Sequence, residues 1–293
     1  MKLEEYLYNL IPIIIISLLF KQYVAPYIVD DESYLVKKFL YNENYSSTKP
    51  YLWIYVPLDI NSRRWNTFNE RNSLNISQPY IEYCIKSLIS KNKEVFNICV
   101  ITDNDLKDII PNWTFNMNEL SDPIKERVRR LAQVELINYY GGIVVPPSFL
   151  CLKNLRKLYG QTEYESYYVE CGTNDIIIGG KRNNKDLKNY ISTLNIYISD
   201  MSNEPEFKNL LNVALEKNIT KLDPKEFGLR TVDNIPVTTG DLLSDKCLNL
   251  SDEIFGLYIP REKLLNDKQS EWFTVISVDE IKKSNLYIAR YFH

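Results

Sequence analysis

Apolar and polar positions along the chain fall into alternating blocks. Tyr51 to Leu58, YLWIYVPL, is an unbroken apolar and aromatic run of strand length. After a long polar loop, apolar residues recur with helical spacing at Ile81, Ile85, Leu88 and Ile89. A second strand-like run, Phe96 to Thr102, leads into Asp103-Asn104-Asp105 and a short helix. Strand, helix, strand, helix predicts an α/β fold: a mostly parallel sheet with flanking helices, its ligands expected beyond the carboxyl ends of the strands. Two more helices are expected near Lys185 to Ser199 and Glu204 to Asn218, then a stretch punctuated by Pro and Asp as far as Gly240. The tail from Ile254 to His293 reads as short strands with loops.

The clearest helix is Asp122 to Tyr140, DPIKERVRRLAQVELINYY. Asp122 stands as its N-cap and Pro123 in its first turn, with apolar residues at Ile124, Val128, Leu131, Ala132, Leu136 and Tyr139. Glu135 falls inside that stripe, where a carboxylate needs a partner. Arg129 and Arg130 are expected on the opposite side. Gly141-Gly142 stops the helix, and the buried strand Ile143-Val144-Val145 follows at once and runs into Pro146-Pro147-Ser148.

The most hydrophobic segment lies at the start. Tyr6 to Phe20, YLYNLIPIIIISLLF, would span about 22 Å as a helix, and about 36 Å if extended to Val29. We read residues 1–29 as a single-pass membrane anchor, contacting the membrane through residues 6–29; a buried helix of the fold and a signal peptide are the alternatives. Lys2 and Lys21 balance across it, so orientation is not legible. Residues 30–50 read as a polar connector ending in Ser46-Ser47-Thr48-Lys49-Pro50, and residues 51–293 as a single domain.

Composition removes several function classes. With 45% hydrophobic residues and a net charge of -3, the chain is too apolar to be disordered and lacks the basic excess that nucleic-acid binding requires. Its single histidine, His293, is the last residue, so neither a histidine-containing zinc cluster nor an internal Ser-His-Asp triad can form. The five cysteines, Cys84, Cys99, Cys151, Cys171 and Cys247, show no CxxC spacing and read as small hydrophobes, four of them among apolar neighbours. Asn44, Asn75, Asn112, Asn218 and Asn249 head Asn-x-Ser/Thr sequons, glycan acceptors if the domain is lumenal.

The string Glu135-Leu-Ile-Asn-Tyr-Tyr-Gly-Gly-Ile143-Val-Val resembles the helix-GG-strand element of the glycosyltransferase family with a DXD sugar-binding motif, the GT-A enzymes of capsular-polysaccharide and mannosyltransferase type. The resemblance covers most of residues 51–260. Asp103 after the second strand is similar to that family's acidic turn, Asn174-Asp175-Ile-Ile-Ile-Gly-Gly180 to a later strand bordering the acceptor site, and Thr238-Thr239-Gly240 to its Thr-Gly turn. The resemblance implies a GT-A-like, Rossmann-like sheet, a nucleotide-sugar donor, and a glycan or protein acceptor. It also sets Gly141 and Gly142 beside the nucleotide, although the residues themselves assign them to folding, since a helix must stop and turn there. Where the family carries its metal-binding aspartates this chain has Pro146 and Ser148, and no divalent-metal cofactor is expected. The Ser-Asp and Arg that the family places on the preceding helix fall on Arg129, Arg130 and Gln133.

Three functions follow. The first is a membrane-anchored, degenerate transferase domain kept as a binding or scaffold module. The second is an active, metal-independent glycosyltransferase in which Arg63, Arg64 and Arg129 meet the diphosphate and Trp65 stacks on the base. The third is a structural membrane protein. Asp175, Glu170 and Asp241 are the candidate bases toward an acceptor hydroxyl, while their use in caps and turns is the competing reading.

Overall fold

The computed structural model describes residues 40–41, 45–61, 76–161, 166–172, 174–199, 213–217 and 219–292. The run 6–29 and the trio Arg63, Arg64 and Trp65 lie outside the described residues. Among the described residues, no helix is long and apolar enough to cross a membrane. The chain divides into two compact units, Met1–Phe39 and Leu40–His293, and everything below concerns the second.

A six-stranded sheet organises this unit. Its strands are β1 (Tyr51–Val56), β2 (Asn97–Thr102), β3 (Gly142–Val145), β5 (Tyr167–Glu170), β6 (Ile176–Gly180) and β7 (Thr220–Lys221), in the spatial order β2-β1-β3-β6-β5-β7. β4 (Phe149–Cys151) and β8 (Gly256–Tyr258) form a separate antiparallel pair. The parallel sheet expected from the sequence holds for β2-β1-β3. β6 then runs antiparallel to both β3 and β5, so the sheet is mixed.

The unbroken apolar run of β1 reflects burial on both faces. Leu52, Ile54 and Val56 join the main core with Tyr80, Ile81, Cys84 and Leu88 of α1 (Pro79–Asn92). The alternate residues Trp53 and Tyr55 turn to the other face, toward α2 (Asp122–Tyr140). There Trp53 Nε1 donates to the Gly141 carbonyl at 3.0 Å, and the rings of Tyr51, Trp53 and Tyr140 pack against one another in a triangle. The strand stops at Val56 and not Leu58, because Pro57 has no N–H to continue a ladder.

α2 occupies the range its apolar spacing predicts, but Ser121 and not Asp122 is the N-cap residue. Its end is sharp. Gly141 and Gly142 have φ of 74° and 101°, and a Cβ on Gly142 would overlap the Tyr51 carbonyl oxygen. Only glycine allows both that backbone and so close an approach of β3 to β1.

Two other expectations change. Residues 40–41 and 45–50, read as connector, pack on β2: Leu40 bridges Cys99, Tyr41 N donates to Ile98 O at 2.9 Å, and Asn97 Nδ2 donates to the carbonyls of Ser46 and Lys49. Among the described residues the tail beyond Ile254 contains one strand, β8; the rest is short helices, α4 (Arg261–Asn266), Val278–Lys283 and 3-10 turns at Glu271–Thr274 and Tyr287–Tyr291. α3 (Lys185–Ser199) forms where expected, while of the helix expected at 204–218 only residues 213–217, which are helical, are described. Cys84, Cys99 and Cys151 are buried and Cys171 half-buried, whereas Cys247 is exposed.

Candidate functional site

The carboxyl ends of β1 and β3 meet the middle of α2, the first turn of α4 and the turn between β5 and β6. Tyr55, Pro57, Glu126, Arg129, Arg130, Gln133, Pro146, Pro147, Asn174, Asp175 and Arg261 are brought together there. The space they enclose is about 20 Å³, the size one water molecule fills.

Arg129 dominates this end of the sheet and corrects the helical-wheel reading, for it is buried, with 4% of its surface exposed. Its Nε and Nη2 fork onto Asp103 at 3.0 and 2.6 Å. The same guanidinium reaches Asp59 at 2.8 Å and Glu126 at 2.5 Å. Asp103 is buried too, and its other contacts come from the Tyr55 hydroxyl and, at 3.1 Å, from Leu58 N. Three carboxylates around one guanidinium leave the cluster with excess negative charge. Burial raises the Glu126 carboxyl above its usual range, Arg129 opposing this and Asp59 adding to it. Burial pushes Asp59 the same way, but the charge and hydrogen bonds of Arg129 outweigh it and hold that carboxyl low.

Arg130 Nη2 donates to the Asn174 carbonyl at 3.1 Å, and Asn174 Nδ2 donates to Glu262 Oε1 at 2.9 Å, tying α2 to α4 through the β5–β6 turn. Gln133 Oε1 and Arg261 Nε are buried with no hydrogen-bond partner among the described residues. Arg261 sits in the field of Asp175 and Asp59, which raises its pKa although burial opposes this.

The candidate bases are separated. Asp175 accepts from the Tyr258 hydroxyl at 2.7 Å, and burial together with this neighbouring carboxylate pushes the Tyr258 phenol up. Glu170 is exposed at the end of β5, on a pocket of about 290 Å³ shared with Lys221, Arg230, Tyr258 and Glu262. Asp241 closes a capping box with Thr238, accepting from its N at 2.9 Å and Oγ1 at 2.6 Å, and these bonds hold its carboxyl low. That is the turn-capping use of Asp. Sequence reasoning missed Asp59, Glu126 and Arg261. Asp59 and Glu126 carry no pattern of their own, but each is a charge close to a strand or helix end in the segments already singled out.

The residues at the end of β3 do not fit a divalent cation. Pro146 and Pro147 offer only carbonyls, the first of which accepts from Phe149 N at 3.2 Å. Ser148 is fully buried, its Oγ unpartnered among the described residues. The carboxylates lining the same space, Glu126 and Asp175, are engaged by Arg129 and Tyr258. Among the described residues, no group of three or more His, Cys, Asp or Glu side chains is arranged to hold a metal.

No protein-family model matches the chain, and no curated protein does. Among solved structures, the PaToxG glycosyltransferase is similar at 12% identity and a TM-score of 0.33, over 70% of this chain and 80% of that one. At that score the likeness decides nothing about activity.

Proposed function

We propose that the chain is a degenerate glycosyltransferase-like protein, held at a membrane by residues 1–29 and acting as a non-catalytic binding or scaffold module. The observation that carries this reading is the end of β3. Where a sugar-nucleotide enzyme of the resembled family would hold its metal and diphosphate, Pro146, Pro147 and a buried Ser148 stand instead, beside about 20 Å³ of space. The alternative, an active enzyme using arginines in place of metal, is weakened by Arg129. A diphosphate would have to displace Asp103 from a buried two-pronged ion pair and enter beside two further carboxylates.

Calorimetry of the full chain with UDP- and GDP-sugars, with and without Mn²⁺, tests the proposal. No binding heat is expected for any donor in either condition. Metal-dependent binding would restore the transferase reading, and binding that resists EDTA and weakens in Arg130→Ala or Arg261→Ala would favour the arginine enzyme.

A further inference from the structure

The segment after β2 builds a second groove that none of these functions uses. Asp103, Asn104, Lys107, Trp113, Phe115 and Asn118 are among its walls, and its volume is about 350 Å³. That is within the range of sites for small ligands, about 300 to 1,000 Å³. We propose that this groove binds a neutral glycan of one or two sugar rings.

The aromatic pair sets the chemistry. Trp113 and Phe115 are both half-buried, with ring centroids 5.3 Å apart and planes at 62°, so two aromatic surfaces meet at a corner. The faces of such rings are electron-rich, and the polarised C–H bonds of a pyranose are suited to lie on them. Beside them stand hydroxyl-directed groups. Asn104, Thr114 and Asn118 line the groove at exposed positions, and an amide can donate to one sugar hydroxyl while accepting from another.

Charge argues against an anion. Among the described residues Lys107 is the one cation in the lining, and the one carboxylate, Asp103, is already paired with Arg129. A phosphate would find a single ammonium there, far less than the arginine clusters that recognise phosphate.

The groove is also preorganised, which lowers the entropy lost on binding. Asn112 turns the chain through a left-handed φ of 58°, Trp113 N donates to Ile110 O at 3.3 Å, and the Asn116 amide is fixed by Glu119 at 2.6 Å. Buried Met117 is part of the lining.

The test is titration of the full chain with lactose, maltose, cellobiose, chitobiose and mannobiose, followed by saturation-transfer NMR and calorimetry. At least one disaccharide should bind through one face of a pyranose ring. Trp113→Ala should weaken that binding about tenfold, as expected for losing one stacking surface. Asn104→Ala, a change at an exposed position, should weaken it without touching the fold, and Trp272→Ala, elsewhere on the surface, should leave it unchanged. Absence of binding by the whole panel would overturn the proposal, as would binding that survives both Trp113→Ala and Asn104→Ala. So would displacement by UMP or adenosine at lower concentration than any sugar, which would make the corner a base-stacking site. The inference is independent of the β3 strand end: restored nucleotide-sugar binding there would leave these outcomes unaltered.

Discussion

At the residue scale, the pairing of Arg129 with Asp103 is the most exposed to a single change. Both side chains are nearly inaccessible, at 5% and 2%. Removing Arg129 leaves the buried Asp103 carboxylate with no cation, so Arg129→Met should cost about 3–5 kcal/mol in urea unfolding, whereas joining it to Asp103→Ala should recover part of the loss. The neighbouring carboxylates respond to pH with opposite signs. Asp59 is held below its ordinary 3.8, so the stability it contributes is present above that value and fades as pH falls through its lower folded value. The difference in melting temperature between wild type and Asp59→Asn should therefore shrink in acid. Glu126, raised above 4.5, favours its protonated form in the folded state, so Glu126→Gln should gain on wild type as pH rises through that region. None of this was legible in the helical wheel of α2. Two of the three partners of Arg129 arrive from 26 and 70 residues away, information that periodicity within one helix does not hold.

At the scale of elements, legibility followed the length and strength of each pattern. α2 has nineteen residues of consistent spacing with Pro at its start and Gly at its end, and its range is as read. The tail failed because its helices have six residues or fewer, too short for a 3.6-residue period to stand out from short apolar strands. The direction of β6 was equally hidden, since Ile-Ile-Ile-Gly-Gly reads the same in a parallel or antiparallel neighbour. The Gly141-Gly142 junction, by contrast, was readable and has a sharp consequence. Gly142→Val asks a β-branched residue to take a φ of 101° and to share space with the Tyr51 carbonyl, so a loss of more than about 4 kcal/mol, or failure to express folded protein, is expected by thermal melting and circular dichroism. An unchanged melting curve would remove the helix-glycine-strand junction from the account of this fold.

At the scale of the molecule, the domain boundary matters more than the connector reading of residues 30–50 allowed. Of the two units, the one holding the sheet opens at Leu40, so its first residues are part of its architecture. β2 stands at one end of the strand order, with β1 on one side and, among the described residues, the bridge from Leu40 and the bond from Tyr41 on the other. A strand border of that kind is a template for another chain, and proteins commonly blunt it with a cover of this sort. That cover is expected to limit self-association along β2. A protein beginning at residue 40 should elute from a sizing column as a single species at concentrations where one beginning at residue 51 forms concentration-dependent aggregates that bind thioflavin. On that expectation, residues 40–50, read in the sequence as part of a tether, keep copies of this molecule apart.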